Sequence, residues 1–470
     1  MKKRIMAVLL AAASVVAVAG CSNSGSGSSD TTTTTAATAA ADNGGAAAAD
    51  TTAAGGESST TLSSAETLSL LAWEGNSDVV AMIDYFCEQT GHSKDEIKYV
   101  AVGSNGEGAR DGYHNYLLGD GDADLLFCDA DWIQAYVNSD ETLGYDQIGL
   151  SKSDFPDAFS YTLSVGTSTD GVFKANSFQA TPGGFVYRAD LAKEYLGVNS
   201  PDEMQALVSD WDKFQETAAT VQAKSDGKCS LQATEGGLWQ VFQANRNQPW
   251  VVDGKLVMDT AEDFYDIAKT FNDNKYMAGV PQWNSAWYAA VQDGTAMGDF
   301  VPTWGLTTSQ GSILYNFAKG EEGKGADLSG SMAICEGPAG WYWGGTYMAV
   351  ANKCDSNDLA KEWIEFFCKN ADTMKGYAEK TGDFVNNSAV MGSIEGSNPL
   401  LNGQNHYAIL VKVMAKLDLE GKITQYDSVI KGKFNDSVNA YLDGTQATKE
   451  DAIKQFKTDV AGALPDVTVE

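Results

Sequence analysis

The sequence predicts an α/β fold, and three observations carry that prediction. Leu68-Ser-Leu-Leu-Ala-Trp73, Ile97 to Val102 and Asp124-Leu-Leu-Phe-Cys128 are short apolar runs without helical caps, of strand length. Between them lie segments of helical character, from about Asp78 to Thr90, closed by Gly91, and from Arg110 to Leu118. The ordered part, about residues 66 to 470, is long enough for two domains of ordinary size. Strands alternating with helices form a mostly parallel sheet flanked by helices on both faces, and a ligand binds beyond the carboxyl ends of such strands.

The elements follow in order. Residues 1–20 are an export signal: Lys2, Lys3 and Arg4, an apolar run from Ile5 to Ala19, and small residues before Cys21. The run is shorter than the ~20 residues a membrane-spanning helix needs. A cysteine directly after Ala-Gly resembles the lipobox of bacterial lipoproteins, which implies a mature chain beginning at Cys21, its sulfur carrying a lipid anchor. Residues 21–65 are almost entirely Ser, Thr, Ala, Gly, Asp and Asn, and read as a disordered tether with too little apolar surface to order it. Further on, Gly183 to Tyr187 reads as a strand and Ala189 to Leu196 as a helix. Ser200-Pro-Asp-Glu203 is a capping box with proline at the first helical position, and Thr448-Lys-Glu-Asp451 starts a terminal helix. Asn357 to Asn370 is a helix with Leu359, Trp363, Phe366 and Phe367 on one face.

Composition excludes several functions. The formal net charge is −31, and nucleic acid is not an expected partner because phosphate contacts need basic patches. Only Arg110, Arg188 and Arg246 follow Arg4, and anionic ligands usually call for arginine forks, so a neutral solute is favoured. Cys87, Cys128, Cys229, Cys335, Cys354 and Cys368 have no CxxC spacing; no metal or cofactor is expected, and free core thiols are preferred to disulfides. His92, His114 and His406 are too sparse for a zinc cage or an obvious triad. Ser225 to Lys228 and Lys380-Thr-Gly382 match two elements of the penicillin-binding signature, but its Ser-Asp-Asn element is absent. Asp120, Asp122 and Asp124 lack the glycine and closing glutamate of a calcium loop. No catalytic residue is assigned and the chain is not read as an enzyme.

Five segments, in order, resemble the extracellular solute-binding proteins of carbohydrate ABC importers, family 1, which includes maltose-binding protein. They are Leu68 to Gly75, LLGDGDADLLFCDADW (Leu117 to Trp132), GGFVYRADLAKEYLGVNSPDEM (Gly183 to Met204), WYAAVQDGTAMGDFVPTW (Trp287 to Trp304), and Trp341 to Phe367 followed by Thr381 to Asn387. The helix after Pro201 departs from the family in having Asp202-Glu203 where Thr-Trp is frequent. The resemblance implies a two-lobed periplasmic-binding-protein-like fold, each lobe a mostly parallel sheet flanked by helices, joined by hinge strands. Lobe 1 would comprise 66–175 and 301–347, lobe 2 would comprise 176–300 and 348–470, and the solute would bind between them.

A sugar offers C–H faces and hydroxyl edges, so its site needs aromatic platforms beside carboxylates, amides and indole N–H groups. The chain has 11 Trp and 19 Tyr. Trp304 matches the family's cleft tryptophan after the Ala-Met strand, and Trp341, Tyr342 and Trp343 stand before Gly344-Gly345. Asp129, Asp131 and Trp132 follow the third strand, with Asp131 also placed to cap a helix starting at Trp132. Trp73 and Glu74 end the first strand, and Asn105 lies in the loop after the second. Trp239, Trp283, Asn284 and Trp287 are second-lobe candidates for which core packing competes, whereas Trp211 and Trp363 belong to the core. The expected partners are a carbohydrate, ABC permease subunits, and the membrane through lipidated Cys21, for a monomer on the extracellular face of the bacterial cytoplasmic membrane. A polyamine or other cationic solute, held by the same acids and rings, is an alternative, as is a surface glycosidase with paired carboxylates.

Overall fold

The computed structural model describes residues 67–104 and 107–470; the signal, the tether, Cys21 and Asn105 lie outside them. The strands are β1 (Leu68–Ala72), β2 (Ile97–Ala101), β3 (Leu125–Asp129), β4 (Ala175–Ser177), β5 (Gly183–Arg188), β6 (Ser230–Gln232), β7 (Val251–Val252), β8 (Lys255–Leu256), β9 (Ala296–Pro302), β10 (Met332–Cys335) and β11 (Thr346–Val350). One sheet has the order β2-β1-β3-β11-β4, a second β10-β5-β9-β6, and β7 and β8 form a separate hairpin. β1 is buried at all five positions, as its continuous apolar sequence requires, while β2 is partly exposed and forms an edge.

Helices cover both sheets. Ser77–Thr90 starts where the Asn76 carboxamide accepts from the Asp78 and Val79 amides, and ends at Gly91 in the left-handed conformation. Its Phe86 meets Trp363 of the helix Asn357–Cys368 at 4.9 Å, and Trp363 in turn meets Phe127 of β3 at 6.5 Å. The second sheet is covered in the same way: Phe214 of Trp211–Lys224 packs edge-on against Phe185 of β5. Beyond it, Trp239 of Glu235–Gln243 stacks on Phe434 of Asp427–Leu442 at 4.5 Å.

Among the named strands, parallel pairing is confined to β2-β1-β3 and β6-β9. β11 runs antiparallel to β3 and β4, and β5 antiparallel to β9 and β10, so both sheets are mixed. The expected partition also differs from the pairing. β10, expected in the first half, is bonded to β5 of the second sheet. Conversely, β11 joins β3, and the helices Asn357–Cys368 and Ala371–Thr381 pack on the first sheet through Trp363 and Tyr377. The family-like order of segments carried no information about which sheet receives each returning strand, because that choice is made by contacts far apart in sequence.

The chain passes between the two sheets three times, at 178–182, 336–345 and 383–387. The first crossing lies between the other two. Ala180 donates to Phe384 and Asn386 to Phe178 on one side, and Trp343 donates to Thr181 on the other. Asp383, nearly fully buried, accepts from the Gln179 side-chain amide at 2.5 Å and locks two crossings together. Among the described residues no helix is long and apolar enough to cross a membrane.

Candidate functional site

A cavity of about 420 Å³ opens at the carboxyl end of β3, facing the helix Asp427–Leu442. The first-sheet side contributes Arg110, Asp129, Asp131 and Trp132, and the second crossing contributes Trp343. From the second-sheet side come Trp283 and one face of Asp427–Leu442: Ser428, Lys431, Gly432 and Asn435, at i, i+3, i+4 and i+7.

Asp129 ends β3, and its Oδ1 accepts the backbone N–H of Asp131 at 2.9 Å. This turn corrects one expectation: Asp131 caps nothing, the helix Ile133–Val137 begins after Trp132, and no side chain caps it. Burial, reinforced by the neighbouring Asp131 charge, pushes the Asp129 carboxyl well above the usual carboxylate range. Asp131 reaches across to Lys431, whose Nζ lies 2.7 Å from Asp131 Oδ1. Burial works against the Lys431 charge, but Asp131, Tyr342 and Asp427 outweigh it and hold the ammonium above its ordinary value.

Trp132 is buried in a ring cluster, edge-on to Tyr113 at 5.3 Å and to Trp73 at 6.5 Å. Its Nε1 has no hydrogen-bond partner, and a buried donor left unpaired is costly. Opposite stands a triangle of indoles. Trp283 stacks nearly parallel on Trp304, centroids 5.9 Å apart at 14°, and Trp343 meets both edge-on at 5.5 Å. Trp304 Nε1 donates to the Trp343 carbonyl at 3.0 Å. Trp304 is therefore half-buried behind Trp283 and Trp343, which present the accessible aromatic wall. Trp283 is 55% exposed and has φ +65°, a left-handed conformation that bulky residues rarely adopt. The loop carrying Trp343 approaches Asp129 so closely that a side chain on Gly344, at φ +71°, would meet Asp129 Oδ2 at 3.1 Å.

The other sequence-predicted residues are placed elsewhere. Trp239 is sealed in the second-sheet core. Trp287 is fully buried and donates to Asp299 at 2.6 Å, and Trp341 is fully buried against Gly183 and Phe300. Tyr342 is buried against Tyr161. Their burial leaves no face for a solute, because indole rings so placed complete cores. Trp73 is half-buried behind Trp132, and Glu74 is exposed outside the cavity lining. Asn284 caps the helix Ser285–Asp293. Sequence reasoning missed Arg110, Ser428, Lys431, Gly432 and Asn435; the signal available was the small and polar stripe at helical spacing along Asp427–Leu442.

The cavity is balanced in charge despite the acidic chain: Arg110 and Lys431 stand against Asp129 and Asp131, and Arg110 is itself paired with Asp111 at 3.1 Å. Among the described residues, no three His, Cys, Asp or Glu side chains are grouped to hold a metal ion, and the six cysteines are free.

Residues 81–395, more than half of the chain, match the model of the bacterial extracellular solute-binding protein family. The chain belongs to this family. Its fold is that of the two-lobed binding proteins. A solved extracellular solute-binding protein of family 1 is 18% identical, with a TM-score of 0.70 over 84% of this chain and 99% of that one. The GacH receptor of Streptomyces glaucescens, solved unliganded and with acarbose, is 15% identical, with a TM-score of 0.63 over 86% and 99%. An ABC transporter associated binding protein from B. animalis subsp. lactis, in complex with beta-1,6-galactobiose, is 17% identical, with a TM-score of 0.64 over 85% and 97%. No curated protein matches this solute-binding protein by sequence.

Proposed function

We propose that this protein binds an uncharged sugar or oligosaccharide in the cavity between its two halves and delivers it to the permease of an ABC importer, without chemical change to the solute. One observation carries the reading: the cavity is walled by the Trp283 and Trp343 indoles, with Asp129, Ser428 and Asn435 as hydrogen-bonding groups beside them. Flat rings suit the C–H faces of a sugar, and the polar groups suit its hydroxyls. The charge balance argues against a polyamine, which would find Arg110 and Lys431 in its path. Sugar ligands in solved relatives of the same fold make this the first class to test.

We place the halves at about 67–177 with 346–386, and 183–335 with 388–470, closing about the three crossings. Closure needs a solute that touches both halves, since contacts to one alone favour neither state. Anchoring through a lipid on Cys21, with residues 22–65 as the tether, would keep the protein, as a monomer, near the permease.

A thermal-shift screen over sugars, oligosaccharides and polyamines tests the reading. A ligand at about a hundred times its Kd should stabilise the fold by ~2.7 kcal/mol. Stabilisation by sugars is expected; stabilisation by polyamines alone, or cleavage of an oligosaccharide, overturns it. Release of a Cys21→Ala variant into the medium would support the anchor.

A further inference from the structure

We propose that the Asp131–Lys431 ion pair is a clasp that holds the two halves together when no solute is bound. The inference rests on the two halves closing about the crossings, as in the reading above, and adds what sets their resting position. Asp131 follows β3 of the first sheet, and Lys431 sits in the second turn of Asp427–Leu442, whose Trp239 and Tyr265 neighbours all belong to the second half. The two residues are 300 positions apart in sequence and 2.7 Å apart in space. Among the described residues, no other ion pair joins the two halves: Lys416–Glu336 ties the second half to a crossing, and the remainder fall within one half, as Lys369–Asp154 and Lys449–Asp266 do.

The geometry favours a clasp over a surface contact. The Lys431 side chain is only 11% exposed, so its stem is packed while its ammonium is aimed across the cavity. On its own helix the nearest acid is Asp427, at 3.7 Å and thus a looser partner. Asp131 is held from behind, its backbone N–H bonded to Asp129, and its carboxylate is 39% exposed at the cavity mouth. A pair with one member packed and the other reached by water keeps its attraction at low salt and loses part of it when ions reach the mouth. Opening the halves for solute entry parts this pair, so its strength contributes to the population of the open form.

Small-angle scattering of the solute-free protein tests the clasp. Asp131→Asn and Lys431→Met should each expand the protein at low salt. Wild type should expand on raising salt to about 1 M, where the screening length falls to ~3 Å, and the variants should respond far less. Exchange of the charges, Asp131→Lys with Lys431→Asp, should restore the compact form. If Lys431→Met does not fold, the half-exposed Asp131→Asn decides alone. Superimposable scattering from wild type and Asp131→Asn at both salts overturns the proposal. No solute is needed, so the clasp can fail while sugar binding stands, and the solute screen can fail while salt-dependent compaction is observed.

Discussion

The molecule contains two tryptophan clusters that look alike in composition and differ in use. In the second-half core, Trp239 and Trp250 pack with Phe264, Phe434 and Phe456, and both indoles are essentially inaccessible. At the cavity, Trp283, Trp304 and Trp343 also pack on one another, but Trp283 stands 55% exposed on a left-handed backbone. The rings of the first cluster sit mostly on the apolar faces of long helices; those of the second sit in turns beside glycine, asparagine and proline. Backbone alone does not decide the use, since Trp250 and Trp341 are buried outside helices; what distinguishes Trp283 is a turn that leaves its ring exposed.

The comparison predicts opposite signatures for the two clusters. Trp239→Ala should cost about 3–5 kcal/mol of stability by denaturant unfolding, with unchanged affinity in the protein that remains folded. A loss of affinity at constant stability would place Trp239 with the cavity cluster. Asp299 links the two regions, accepting from Thr234 at 2.8 Å and from Trp287 at 2.6 Å, as well as from the side chain of Gln232. Asp299→Asn brings an N–H₂ among these donors and should destabilise by about 1–3 kcal/mol.

Trp283→Gly should do the reverse of Trp239→Ala. Losing the stack costs about 0.5–1.5 kcal/mol, while relief of the left-handed backbone returns roughly 1 kcal/mol, so the melting point should scarcely move. Calorimetry should show solute affinity weakened roughly fivefold or more. The smallest effect is Gly432→Ala: a side-chain carbon there meets nothing within 4 Å, so the helix should gain up to about 1 kcal/mol while affinity falls as the cavity shrinks.

Buried acids sharpen the contrast through pH. Burial raises the Asp299 carboxyl to about 7, against the opposing bonds from Thr234, Phe300, Trp287 and Gln232. Burial and the Asp78 charge raise Asp383 in the same direction. At these two groups the folded chain then holds protons that the unfolded chain, with carboxyls near ~3.9, has released, so their contribution to stability is greatest at low pH and falls as pH rises towards about 7. Thermal melts should show the midpoint dropping from about pH 5 to about pH 8, with a shallower slope in Asp299→Asn.

Local signals in the sequence were legible wherever one segment decides the outcome. The strand Leu68–Ala72, the Ser200-Pro201 helix start and the apolar face of Asn357–Cys368 all form as their sequences require. Asp129, Asp131, Trp132 and Trp343 were legible as cavity candidates because they end strands or precede glycines. Lys431 was not, since nothing in SVIKGKFND foretells that its ammonium meets a residue 300 positions earlier. The allocation of β10 and β11 was hidden for the same reason, as their partners are fixed only when the sheets assemble.

The three crossings have a consequence for affinity. Because they are laced edge to edge, through Ala180 to Phe384 and Trp343 to Thr181, no single connection can bend alone. If the halves swing about these crossings as proposed, the lacing would restrict that motion and leave less disorder to be lost when a solute arrives. More of each contact made in the cavity would then register as binding strength.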